Sequence, residues 1–350
     1  MSHPEIDNRT PFAAEALPHN DENFRPVYTV LLKATYDIVD TGQLRLAEEQ
    51  PPLLLAGEYY GDPETTSLKY EPECTLTKQA TDVVLIGHAY PESPQHRQTK
   101  VGIRIGPIQK TAMVFGDRVW ENGINPTASF PQPFEKIPLI WENAFGGQDL
   151  RVENPDRPSF EARNPIGKGY ADKKQPFPEG LPLPNIENPD HLIQHWQDRP
   201  PPCGFGFVSP HWSPRSEYAG TYDEHWDTKR KPLLPKDFNR AFFNAADSGL
   251  QVPGYLQGDE EVIIVNASER GRLAFQLPGL PAPVFQMKFH FRDDVVAGTN
   301  LDTVIVNTDD HQLIMFWRAL VPTPRGHLDL AELNIKIPGA QVLQPKKKAS

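Results

Sequence analysis

Val27-Tyr28-Thr29-Val30-Leu31-Leu32-Lys33-Ala34-Thr35-Tyr36-Asp37-Ile38-Val39 decides the fold class. Tyr28, Val30, Leu32, Ala34, Tyr36 and Ile38 fall on one side of an extended chain, and Thr29, Lys33, Thr35 and Asp37 on the other. A period of two with β-branched and aromatic residues predicts a strand with one face toward the core. The same signature follows in Thr81–Tyr90 and in Lys100–Ile105, where Val101, Ile103 and Ile105 alternate with Lys100, Gly102 and Arg104. Phe115-Gly116-Asp117-Arg118 supplies turn residues between two more short strands.

The C-terminal part is built the same way. Val262–Val265 and Arg272–Leu277 flank a turn at 266–271, and Thr303–Asn307 and Gln312–Ala319 flank another at 308–311. Val284–Arg292 sets Phe285, Met287, Phe289 and Phe291 on one face, and Leu330–Ile337 alternates as well. Many short strands with polar turns predict a mainly β protein, with a β-sandwich or barrel-like body. Helix is expected in two short pieces. Asn188-Pro189 would cap Asp190–Asp198, and Pro235–Ala246 spaces Phe238, Ala241, Phe242 and Ala245 at helical intervals.

Between these β flanks, residues 126–235 hold 19 of the 38 prolines. Proline removes backbone donors and blocks helix interiors and central strands. A linker of that composition would lack aromatics, yet this segment carries Trp196, Phe205, Phe207, Trp212, Tyr218, Tyr222 and Trp226. It reads as an ordered, irregular insert packed on the β scaffold. The expected organisation is one β-rich domain over residues 1–340, with 121–260 as the Pro/Gly/aromatic-rich insert and 341–350 as a flexible basic tail. Two independent domains are the competing arrangement.

Charge and cysteine content narrow the class of function. Lys plus Arg (35) against Asp plus Glu (46) gives a formal net charge of −11, which disfavours nucleic acid and anionic membrane as partners. Cys74 and Cys203 are too far apart for a CxxC metal motif or a disulfide framework, and no cofactor or metal is expected. The first residues lack the basic and apolar regions of a secretory signal, and no apolar run spans a bilayer, so a cytoplasmic location is expected.

No constellation meets the requirements of a catalytic site. His191 and His195 lack the glutamate that follows the first histidine of a zincin. His211, Asp223 and His225 show no repeated ligand spacing. Cys203 with His225 and Asp223 can be drawn as nucleophile, base and orienter, without any activating signature. Glu142, Glu153, Glu161, Asp223 and Glu224 offer carboxylates at separations the sequence leaves open. Phe145-Gly146-Gly147 lacks the lysine of a phosphate loop.

A series of ordered strings resembles a known family. It comprises Asn8-Arg9-Thr10-Pro11-Phe12, Lys33-Ala34-Thr35-Tyr36, Thr81-Asp82-Val83-Val84 with Gly87-His88-Ala89, and Pro138 through Gly147. Asn164-Pro165-Ile166-Gly167-Lys168-Gly169-Tyr170, Leu183–Glu187 and Gly204-Phe205-Gly206 follow. The series ends with Pro210 through Arg215, Tyr218 through Glu224, Trp226, Pro232–Pro235 and Asp237-Phe238. Together they resemble a bacterial family associated with type VI secretion, formerly catalogued as a domain of unknown function. Phe207 stands where that pattern has proline, and Asn23 where it has glycine.

The resemblance implies a non-enzymatic chaperone or adaptor that stabilises a toxin effector and helps load it onto the spike tip protein. The partners expected are therefore the secreted effector and the spike protein. Phe205, Phe207, Trp212, Arg215, Tyr218, Tyr222 and Trp226 are the candidate partner-binding residues, since aromatic and arginine anchors dominate protein interfaces. A hydrolytic enzyme or effector using the insert, and an envelope- or glycan-binding β module, are the alternatives.

Overall fold

The computed structural model describes residues 4–39, 42–124, 126–152 and 158–339. The basic tail and Glu153 lie outside them. The chain is mainly β, and its largest sheet runs in the order Gln251–Pro253, Ala80–Ile86, Asn300–Asn307, Gln312–Pro322, Pro26–Ile38 and Ala13–Asn20, with Leu44–Leu46 also on Pro26–Ile38. Strands from before and after the Pro-rich middle are therefore neighbours in one sheet. Ala80–Ile86 and Asn300–Asn307 pair parallel, whereas Pro26–Ile38 and Gln312–Pro322 pair antiparallel from Asp37↔Gln312 to Val27↔Pro322.

The strand expected from Val27–Val39 forms as Pro26–Ile38, but its polar face is not solvated. Thr29 and Thr35 are fully buried, and Lys33 is 5% exposed. A strap formed by residues 47–78 crosses that face. Glu73 of the strap accepts from Lys33 Nζ at 2.7 Å, the Pro52 carbonyl takes a second bond, and the ammonium lies 5.6 Å from the Phe316 ring centre. Thr29 donates to the Leu76 carbonyl. Burial without such partners would cost several kcal/mol for the ammonium alone.

A five-stranded sheet orders Ile186–Glu187, Ile108–Phe115, Gln98–Ile105, Glu261–Val265 and Arg272–Gln276, with the last two forming the expected hairpin. A four-stranded sheet orders Glu5–Asn8, Leu330–Lys336, Val284–Phe289 and Val295–Gly298. All three stay open; none closes into a barrel. Val83, Val304 and Leu313 of the first, Ile103 and Ile264 of the second, and Phe285 and Leu333 of the third share one contiguous buried cluster. Phe291, expected on that apolar face, lies past the strand end and is exposed.

Neither expected helix forms as read. Residues 190–198 are turns, because side chains take the amides a helix would use. Asn188 accepts from Asp190 N, Glu187 from Ile193 N, and Asp198 from both Gln194 N and His195 N. Such local bonds compete with helix, and Pro200 blocks any extension. Of 235–246, only Arg240–Phe243 makes a 3-10 turn, capped by Asn239. The α-helix of the middle is Glu224–Lys229, which Asp223 caps by accepting from Trp226 N.

Candidate functional site

The motif strings of the middle converge on a second, smaller core. Trp141, Ala144, Val208 and Trp212 cluster there, the two indoles edge to face with centres 5.9 Å apart. Trp141 Nε1 donates to the Phe207 carbonyl, and Asn164 Nδ2 donates to the carbonyls of Trp141 and Phe145. Gly204 lies flat on the Trp141 ring, where a Cβ would fall 2.6 Å from ring carbons. Gly146 and Gly147 hold positive φ against Asn164 and Gly167, so Phe145-Gly146-Gly147 is a packing crossover with the short parallel strand Lys168–Gly169.

Buried charges tie this core to the large sheet. Arg215 donates to the carbonyls of Val208 and Phe242 and pairs with Glu71 of the strap. Asp82, inside Ala80–Ile86, accepts from Lys78, from Asn244 Nδ2 and from Ala245 N. Leu85 N donates to the Phe205 carbonyl, so the middle also covers an edge that would otherwise expose unpaired backbone. Desolvation pushes the carboxyls of Glu71, Glu73 and Asp302 above their ordinary values despite Arg215, Lys33 and Arg318. Sequence reading passed over Glu71, Glu73 and Asp82. The signal available was a lone acid in the apolar strand Ala80–Ile86.

The seven candidate residues divide. Phe205, Phe207, Trp212 and Arg215 are buried, and their roles are packing and anchorage. Phe207 fits its place because its ring is enclosed in the main buried cluster. Tyr218 and Trp226 are half-buried, and Tyr222 is 52% exposed, edge on to Trp226 at 4.7 Å. These last three are the side chains a partner can reach. A groove of about 210 Å³ opens beside Tyr218, lined also by Arg163, Pro201, Pro202 and Pro214, with Trp141 and Arg215 beneath.

The drawn catalytic sets are not assembled. Cys203 is buried beside the Thr111 carbonyl, and burial pushes its thiol up to about 11, so it stays protonated near neutral pH. Asp223 and His225 line a separate, open cavity on the Glu224–Lys229 helix. Glu142 binds the amide and hydroxyl of Ser67, and Glu161 is held by Arg163. His191 and His195 sit in exposed turns. Among the described residues no group of three or more His, Cys, Asp or Glu is placed to hold a metal. Among them no helix is long and apolar enough to cross a membrane.

A larger opening than this groove lies elsewhere. A trough of about 450 Å³ runs over the outward face of the five-stranded sheet, between Lys100, Gly102, Thr111 and Val265. Its lining came from strands read in the sequence, but which of their faces stays open depends on the rest of the fold.

No curated protein and no solved structure matches the chain. A family model does match, over residues 23–318, which takes in both the motif-dense middle and the strands on either side of it. The chain belongs to the bacterial family described as "Uncharacterized protein conserved in bacteria (DUF2169)".

Proposed function

We propose that the chain is a non-enzymatic adaptor that binds a secreted toxin effector, keeps it soluble, and helps load it onto the spike tip protein of a type VI secretion apparatus. The reading rests on the motif resemblance, and one structural observation supports it. Polar residues of the middle that looked available for chemistry are engaged in holding the fold: Arg215 bonds Glu71 and two carbonyls, Asn244 and Ala245 bond Asp82 of the large sheet, and Asp223 caps a helix. The open surface includes Tyr222, half of Trp226, the groove beside Tyr218, and the trough on the five-stranded sheet. Rigid surfaces with partly exposed aromatics suit protein binding, since little ordering entropy is lost on contact.

Co-expression with a candidate type VI toxin effector and a spike tip protein, with and without the chain, tests the reading. The expected result is a several-fold gain in soluble toxin and co-purification with the spike protein. Unchanged toxin solubility together with no association would overturn it.

A further inference from the structure

The five-stranded sheet covers only one of its faces. Val101, Ile103, Ile105, Val262 and Ile264 point into the core, and every alternate residue points out. Register places Thr111, Gly102, Val265 and Arg272 in one row across four strands, and Gln109, Arg104, Ile263 and Ala274 in the next. Residues opposite each other in such rows lie about 5 Å apart, so a row acts as one continuous surface. Gly102 leaves a dip in the first row, bounded by Thr111 on one side and Val265 on the other. Its floor is apolar: Ile263 is half-buried and Val265 is 39% exposed.

Charge on this face runs against the rest of the chain. Lys100, Arg104 and Arg272 are all exposed there; of the acids on the face, Glu261 is paired with Arg104 at 2.6 Å, and Glu187, in the row of Met113 and Lys100, is buried against Arg118. Lys100 and Arg272 have no ion-pair partner among the described residues. A chain of formal net charge −11 thus presents a local excess of cations around an apolar trough. The groove in the middle differs, because its Arg163 and Arg215 are already neutralised by Glu161 and Glu71.

We propose that this outward sheet face docks an acidic amphipathic segment of a protein partner, with apolar side chains seated over Gly102 against Ile263 and Val265, and carboxylates reaching Lys100 and Arg272. The trough volume of about 450 Å³ accommodates several side chains at once. Apolar contact supplies affinity, and the two unpaired cations supply orientation and speed of encounter. The proposal rests on the adaptor reading, for which the segment would belong to the effector.

The test uses the full chain and a labelled synthetic peptide alternating glutamate with valine and leucine, read by fluorescence anisotropy. A lysine-for-glutamate peptide and a short single-stranded oligonucleotide serve as competing probes. Saturable binding of the acidic peptide is expected, weakening as salt rises. The doubly reversed variant Lys100→Glu with Arg272→Glu should lose about tenfold in affinity, equivalent to ~1.4 kcal/mol. Val265→Ser should weaken binding about threefold at unchanged salt dependence. Equal binding of the lysine peptide or the oligonucleotide, no binding of the acidic peptide, or unchanged affinity in both folded variants would overturn the proposal. Effector co-purification with the wild-type chain is scored separately. Its absence removes the adaptor reading, while the peptide result still decides the docking face.

Discussion

Pro26–Ile38 and Gln98–Ile105 are written in the same alternating style, each with a lysine among the polar positions, and they meet opposite fates. Lys100 stands in solvent, whereas Lys33 is enclosed beneath a strap and bonded to Glu73. Alternation marks which face is apolar; it does not say whether the other face is covered. Cover comes from irregular chain, residues 47–78 and the Pro-rich middle, whose attachments are single charged side chains: Lys33 to Glu73, Arg215 to Glu71, Asp82 to Asn244 and Ala245. One sheet became an interior layer and the other kept a surface.

Removing the attachments breaks the contrast most severely. Lys33→Ala and Arg215→Ala each leave a buried carboxylate without its partner, so each should cost ~3–5 kcal/mol in urea unfolding. Lys100→Ala, the matched change on the open sheet, should stay within about 0.5 kcal/mol of the parent. Similar costs for Lys33→Ala and Lys100→Ala would mean the strap does not cover the large sheet as described. Gly204→Ala asks how tightly the cover fits. Its methyl would press on the Trp141 ring, and a loss of ~1–3 kcal/mol with a blue- or red-shifted tryptophan emission is expected.

The smallest effect is a dependence on pH within the middle. Arg151 holds the Asp149 carboxyl below its ordinary value of 3.8, against the opposing effect of burial. A folded value below the unfolded one means the unfolded chain binds the proton more readily. The stabilisation is therefore complete above the ordinary carboxyl value and is lost as pH falls from there through the lower folded value. Asp149→Asn should flatten that part of the acid limb in urea midpoints measured against pH. Glu71, Glu73 and Asp302 act in the other direction, since their folded values are raised and their stabilising effect falls as pH rises through them. The difference between Asp149→Asn and its parent isolates the first contribution, and an unchanged slope would count against it.

Strand content was legible because period two survives in any one segment. Both expected hairpins formed, and so did the strands beginning at Val284 and Leu330. Helix was less legible. Asn188, Glu187 and Asp198 look like caps and surface residues in sequence, yet their side chains capture the amides of 190–195 and leave turns. The candidate site was half legible for a related reason. Aromatic density pointed to the middle, but Phe205, Phe207 and Trp212 are enclosed, while Tyr222 is open. Which ring is covered depends on contacts such as Trp141 to Phe207 and Gly204 that no local pattern encodes. The trough lay hidden for the same reason, since Gly102 and Val265 meet only through register.

The pairing of Pro26–Ile38 with Gln312–Pro322 has a consequence for how the molecule is made. On a ribosome the first strand emerges early, and its hydrogen-bonding neighbour follows only after residues 39–311 have been synthesised. At the usual rate of about 5–20 residues per second, that interval is on the order of tens of seconds. Throughout it, an apolar strand of thirteen residues has one open edge and no interior to enter. Until Gln312–Pro322 arrives that edge is a template for wrong pairing, so a protein we propose as a guardian of others passes through the same exposure it would guard against.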